Sequence, residues 1–582
     1  MKSIIKFLPA VLISAMVLIS FFSVLEDAAI MDEVAHIPAG YSYLKYQDYR
    51  LNPEHPPLPK MLAGFPLLFL DLKFPLDHEA WTRDVNGQWE AGYQFLYHQG
   101  NNADQILFWS RLPMIAMLIL LGVYVWKWAK ELLGPKWALA VIFLYSFSPT
   151  IIAHSHYVTT DLAATCFIFI AFYYFVRYLK APNNKNALWA GIALGLAQTA
   201  KFSSVLLLPC FGLLALLLFF FNKSPKITWL GQIKNHLAKF ILICLSASAV
   251  ILLVYQPAVW AFDLGKQQEL IRGSIGPEKI ESIVLAISKI PGCQGMAQYI
   301  LGVVMVFARV GGGNTAYFLG QVSNQGWWYY FPVTFLLKET ISVLALTLLA
   351  LLFSVRKFIF NLWRNHSYRR PLISLRKYTL GHWAEITMAL FIVVYGSVSI
   401  KGKLNLGIRH IMVLFPFVYI LIIKEFKERI KETEYKKTFL AIFAVLLVWI
   451  GAEVAITYPS YLAYYNEITG GPKNGYKFIT DSNLDWGQDL RRMAKWVNNN
   501  PEITKIKVDY FGGGVPAYYL GDKYQEWHSE NGPATGWIAV SANYFSESIY
   551  KLNSSFANSY YYLETREPVK TFGHSIFVFY IE

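Results

Sequence analysis

Long apolar runs dominate the chain. Runs that reach the roughly 20 residues a membrane helix needs lie near 5–25, 110–130, 137–154, 160–179, 187–201, 203–221, 239–260, 332–353, 384–400, 407–423 and 438–457. The 187–201 run is short, and a stretch at 297–310 reads either as a span or as a buried helix. The pattern predicts about 11–13 transmembrane helices. Residues 1–457 are therefore expected to form a polytopic α-helical membrane domain with two large loops, 26–109 and 261–331. The tail, 458–582, alternates more finely and is expected to be a small soluble α/β domain. Trp486, Leu490, Met493 and Val497 recur at helical spacing, which predicts a helix over Asp485–Asn498. Ile506–Phe511, Trp537–Ala542, Tyr560–Leu563 and Ser575–Tyr580 read as strands, and Gly512, Gly513 and Gly514 as a turn. No internal repeat is visible.

Composition agrees with this pattern. Of 582 residues 55% are hydrophobic and only 15% charged, too apolar for a soluble protein of this length. The net charge of +14 does not gather on one soluble domain, so nucleic-acid binding is not expected. It falls instead in alternate loops. One set holds Lys127, Lys130 and Lys136, then Arg177, Lys180 and Lys185, then Lys223, Lys226, Lys234 and Lys239. It continues with Arg356, Lys357, Arg364, Arg369, Arg370, Arg376 and Lys377, and with Lys424, Lys427, Arg429, Lys431, Lys436 and Lys437. By the positive-inside rule these loops and the N-terminus, with Lys2 and Lys6, are cytoplasmic. Segments 26–109, 261–331 and 458–582 then face the other side. Met1–Phe22 has the look of a signal peptide but lacks a small-residue cleavage site before Glu26, so it reads as a retained first span. Cys166, Cys210 and Cys244 sit in apolar runs and Cys293 in a loop, a set that suggests neither disulfides nor a zinc site.

The first loop carries the most chemistry. Ile30, Val34, Ile37, Tyr41 and Leu44 make one apolar stripe and predict an amphipathic helix on the membrane surface. Asp32 and His36 lie one turn apart on its other face, with Glu33 at the flank. In Asn52-Pro53-Glu54-His55-Pro56-Pro57 the three prolines are expected to hold the strip extended and to present Glu54 and His55. These two form a candidate divalent-cation site; capping or hydrogen bonding is the plainer use of both.

These residues resemble the GT-C superfamily of glycosyltransferases. The resemblance is strongest to the protein O-mannosyltransferase and lipid A aminoarabinose transferase branch. It rests on Asp32-Glu33, Asp48-Tyr49 and Asn52–Leu58, then on Ser148-Pro149, His154 and Thr159-Thr160-Asp161. Ala200-Lys201-Phe202, Trp327–Pro332 followed by Lys338, and Arg409-His410 before Leu414-Phe415-Pro416 complete the set. His55 stands where that branch tends to have a Lys, and the tail piece Asp481–Asp489 does not match the aminoarabinose transferases.

The resemblance implies a GT-C fold and a polyprenyl-phosphate-linked sugar donor drawn from the membrane lipids. It also implies one inverting displacement, an acceptor among protein, lipid or glycan hydroxyls, and a bacterial inner membrane. Asp32 is the expected base, and Glu33 and Asp161 are expected to share that role or hold the acceptor. Desolvation at the membrane boundary would raise such a carboxyl toward a useful range. Lys201, Arg409, His410 and Lys338 are expected to meet the carrier phosphate. Glu54, His55 and His36 are expected to contact substrate, or a metal. Asp485 reads as a helix N-cap; the alternative is that the tail covers the catalytic cleft and contacts the acceptor.

Two other classes remain open at this point. A transporter or flippase would show paired broken helices and repeat symmetry, and neither is visible. A non-catalytic scaffold would leave Asp32, Asp161, Lys201 and Arg409 scattered.

Overall fold

The computed structural model describes residues 4–221, 228–364, 378–551 and 553–582. Lys2, Lys223, Lys226, Arg369, Arg370, Arg376 and Lys377, counted above among the cytoplasmic loop charges, lie outside the described residues. The chain is a multi-pass, mostly helical membrane protein with a small C-terminal sheet. Among the described residues eight helices are long and apolar enough to cross a membrane: Lys6–Val24, Ala103–Leu133, Asp161–Lys180, Phe202–Phe221, Trp229–Ala258, Gln294–Gly312, Trp383–Lys401 and Lys436–Thr457. The ambiguous 297–310 stretch is thus one long helix. Other expected spans are broken. The 137–154 run divides into Pro135–Ser146 and Pro149–His154, because Ser148 caps the second helix and Pro149 opens it. The 332–353 run divides into Tyr330–Lys338 and Ile341–Arg364. The 407–423 run becomes two 3-10 turns and a helix beginning at Phe415.

After the first helix, α1 (Ile4–Val24), come α2 (Met31–Lys45) and α3 (Pro57–Gly64). The expected surface helix is α2, but all of Glu33–Tyr43 is buried, on both the apolar and the polar face. The apolar stripe expected to meet a membrane surface is covered by Gly513 of the tail and Gly92 at Val34, and by Phe74 and Phe95 at Tyr41. The proline strip also differs from expectation. Pro57 opens α3, where its missing N–H is harmless and its fixed φ suits a helix. The helices α2 and α3 cross at Gly40, where a Cβ would overlap the Lys60 carbonyl.

The tail carries a five-stranded sheet. Besides a separate hairpin, β1 (Ala316–Phe318) and β2 (Gln321–Ser323), which bonds to the tail at Phe478 and Ile479, its strands are β3 (Ile506–Asp509), β4 (Tyr524–Glu526), β5 (Gly536–Ser541), β6 (Lys570–Phe572) and β7 (Ile576–Ile581). The order is β4-β3-β5-β7-β6, with β3 parallel to both neighbours and β7 antiparallel to both of its own. Three expected strands are present. The fourth, Tyr560–Leu563, is a 3-10 turn whose Tyr560, Tyr562 and Leu563 are buried. The predicted helix begins only at Leu490, and Asp485 does not cap it; its carboxylate accepts the backbone N–H of Asn543, in the first turn of the helix Ala542–Tyr550. Residues 461–486 do not belong to the sheet. Tyr461, Leu462, Tyr465, Ile479, Leu484 and Trp486 join the apolar core of the membrane helices.

Candidate functional site

Two antiparallel helices bring the first charges together. Asp161 is the first residue of Asp161–Lys180, and Lys201 follows the last residue of Asn184–Ala200. A carboxylate at a helix N-terminus and an ammonium at a C-terminus each suit the local dipole. The two side chains form an ion pair, with Asp161 1% and Lys201 17% exposed. Arg409 comes from the 3-10 turn Ile408–His410. Its Nη1 reaches Asp32 at 2.7 Å and Asp161 at 3.3 Å. Asp32 is 23% exposed, far more than Asp161.

These four residues line a single cavity of about 210 Å³, together with His36, Glu54, His55, Arg309 and His410. Its other wall is apolar and includes Phe202, Leu206, Val306, Phe307 and Val398. Phe307 is 59% and Val398 43% exposed, so that wall continues to the outer surface of the helix bundle. The scattered arrangement of a scaffold is not what the fold builds.

His36 and His55 touch edge to face, with ring centroids 5.0 Å apart. Burial pushes both imidazoles below their ordinary value, so both are neutral near pH 7. His36 Nδ1 donates to the Val158 carbonyl at 2.8 Å. Glu54 accepts from Gln88 at 2.7 Å and Asn86 at 3.3 Å, and lies 3.9 Å from Arg309. Among the described residues no three His, Cys, Asp or Glu side chains gather as metal ligands.

Two expected site residues do not line the cavity. Glu33 is fully buried and holds Arg111 through two bonds, 2.8 Å to Nε and 2.6 Å to Nη2, while accepting the N–H groups of Ile30 and Val158. Lys338 donates to the carbonyls of Leu462 at 2.9 Å and Asn483 at 2.5 Å, with its ammonium over the Tyr465 ring. The Glu33 charge is spent on the Arg111 ion pair and two backbone N–H groups, and the Lys338 charge on two tail carbonyls.

Sequence reasoning missed several residues. Arg309, in the ambiguous 297–310 stretch, lines the cavity and is 43% exposed. A lone arginine in an apolar run was its signal. Lys60 is buried and donates to Tyr43 Oη, to the carbonyl and Oδ1 of Asn52, and to the His55 carbonyl, at 2.8–2.9 Å. It thus clamps the Asn52–His55 strip. Lys60→Met is expected to leave those acceptors unpaired and destabilise the loop by about 1–3 kcal/mol. Limited proteolysis between Leu51 and Pro59, together with thermal unfolding, checks this.

In the tail, expected either to cap a helix or to cover the cleft, the residues that reach the site were not singled out. Ser482 Oγ accepts from Arg409 Nε at 3.1 Å, and the guanidinium lies 4.1 Å from the centroid of the Trp486 ring. Asp481 sits beside this group, and burial pushes its carboxyl up to about 6 against the opposing pull of Arg409. The run Asp481–Asp489 is polar, but nothing in local spacing shows a partner some seventy residues away.

Residues 100–253 match the family model described as dolichyl-phosphate-mannose-protein mannosyltransferase. No curated protein matches the chain. Among solved structures it is similar to the S. cerevisiae protein O-mannosyltransferase Pmt1-Pmt2 complex bound to the sugar donor, at 21% identity and a TM-score of 0.34. That likeness covers 45% of this chain and only 35% of the other. ArnT from Cupriavidus metallidurans bound to undecaprenyl phosphate is similar at 10% identity and a TM-score of 0.40, over 98% of this chain and 97% of that one. The Archaeoglobus fulgidus oligosaccharyltransferase tethered with an acceptor peptide is similar at 10% identity and a TM-score of 0.46, over 94% and 71%. The family match takes in Asp161 and Lys201, and with it the resemblance to the GT-C membrane glycosyltransferases carried by the motifs is borne out.

Proposed function

We propose that the chain transfers a sugar from a polyprenyl-phosphate carrier to an acceptor hydroxyl on the extracytoplasmic side of a bacterial plasma membrane. The observation that carries this reading is one cavity with a cationic end and an apolar wall. Lys201, Arg409 and Arg309 supply the cations, and the Phe202, Leu206, Phe307 and Val398 side supplies the wall. Such a shape suits a phosphate joined to a hydrocarbon chain and held at the edge of a bilayer. A transporter reading has no comparable support, because the charges gather at helix ends and not at mid-span.

In the proposed reaction the acceptor oxygen attacks the anomeric carbon while Asp32 takes its proton. The bond from that carbon to the phosphate oxygen breaks, and its electron pair leaves with the carrier phosphate. One displacement of this kind inverts the anomeric centre. Preorganised cations at the departing oxygen stabilise the transition state without reorganisation, typically by about 3–4 kcal/mol per good donor. Asp161, almost fully buried between Lys201 and Arg409, suits a role in holding those cations apart and aimed. Glu54, His36 and His55 are left to meet the sugar or the acceptor.

Mass spectrometry of envelope lipids, glycans and proteins tests the function, comparing a deletion strain with the same strain carrying the gene. The expected result is one class of molecule lighter by a fixed sugar mass in the deletion, with a build-up of polyprenyl-phosphate sugar. Identical envelopes in the two strains would overturn the proposal.

A further inference from the structure

We infer that Ser482 and Trp486, from the C-terminal tail, are positioning residues that aim the Arg409 guanidinium at the carrier phosphate. This rests on the donor reading given above. Arg409 has a face and three nitrogens to satisfy. Nη1 is taken by Asp32 and Asp161, Nε by Ser482, and the face by Trp486. Nη2 is then the guanidinium nitrogen with no hydrogen bond to the described residues, and we assign it to the phosphate. Ser482 and Trp486 are themselves buried, at 0% and 1% exposure, so neither is free to meet a substrate directly.

The rest of the tail piece makes this arrangement rigid. Ser482 Oγ donates to the Leu406 carbonyl, and Asn483 Oδ1 accepts the Ile408 N–H at 2.9 Å. The turn that carries Arg409 is therefore held by tail atoms on both sides. Gly407 makes the approach possible: its φ is +152°, and a Cβ there would overlap Ser482 Oγ. Lys338 holds Asn483 in turn. On the opposite side the Met31 N–H donates to the Trp486 carbonyl at 3.2 Å, and the Ala28 N–H to Gln488 at 2.9 Å. The same piece thus fixes the start of α2, the helix that carries Asp32. A planar guanidinium delivers its bond direction only if its plane is held. One nonapeptide sets that plane and also sets where Asp32 stands relative to it.

Binding of undecaprenyl phosphate to the full-length protein in nanodiscs tests the inference, with undecaprenol as the phosphate-free control. Ser482→Ala is expected to weaken the phosphate probe about tenfold, with undecaprenol unchanged and the unfolding temperature of the free protein near wild type. Trp486→Leu is expected to weaken the phosphate probe likewise with undecaprenol unchanged, and Trp486→Phe, which keeps a ring face, to recover most of the loss. In an Arg409→Gln background, Ser482→Ala is expected to add nothing, because it acts through the missing guanidinium. Wild-type affinity in both Ser482→Ala and Trp486→Leu overturns the inference. So does equal weakening of undecaprenol, or full additivity with Arg409→Gln. A wild-type protein that binds neither probe overturns the donor reading itself, which separates that failure from this one.

Discussion

Asp32→Asn is expected to lower sugar transfer by about 10²–10⁴-fold, the contribution of a positioned general base, while leaving the fold intact. The substitution keeps an oxygen where Arg409 Nη1 now finds one at 2.7 Å, so the cation retains its partner. What it removes is the ability to take a proton. Asp32 is also the more open of the two carboxylates on Arg409, 23% exposed against 1% for Asp161, so little packing depends on it. The deletion strain carrying the variant should therefore accumulate full-length protein in its membranes and show the envelope of the empty deletion. Product near the wild-type level would remove Asp32 from the mechanism and leave the base to be sought among Glu54, Asp161 and Asp481.

The neighbouring carboxylate is expected to behave in the opposite way. Arg111→Met leaves Glu33 charged and buried with no cation, and a buried pair broken on one side destabilises by about 3–5 kcal/mol. Arg111 also donates to the carbonyls of Asp27 and Ala28, at 3.1 and 2.9 Å, so the segment between α1 and α2 loosens with it. Thermal unfolding in detergent should fall sharply. Adding Glu33→Gln removes the stranded charge and should restore part of the loss. A single mutant with wild-type stability would show that Glu33 is not held in this way. Two adjacent residues of one sequence pair thus separate into one expected to report on chemistry and one on stability.

The contrast between them was not legible in the sequence. Asp32 and Glu33 are consecutive, and helical spacing puts them on neighbouring faces without saying which face meets solvent. The stripe Ile30, Val34, Ile37, Tyr41 and Leu44 is real, but the opposite face is buried as well, under parts of the chain that hydrophobic periodicity cannot assign. Lys338 shows the same limit. The resemblance implied a phosphate ligand there, yet its ammonium is engaged by carbonyls of the tail. The broken spans were partly foreseeable, since Ser148-Pro149 is a helix-start signal that the hydropathy window averaged away.

The sequence by itself determined that the chain is a multi-pass membrane protein with large loops and a mixed tail. Hydrophobic length and composition are local properties, and they survive whatever the helices pack against. It also supplied the residue types, since a carboxylate pair, a lysine after a short helix and an arginine before a proline-opened helix are readable in place. Tertiary structure alone decided which of those charges share a cavity. Asp32, Asp161, Lys201 and Arg409 come from four separate segments, and a buried charge goes to whichever opposite charge the packing brings within reach. Structure alone also decided that the tail is part of the site. Ser482 and Trp486 act across more than seventy residues, through a single guanidinium plane that no local pattern encodes.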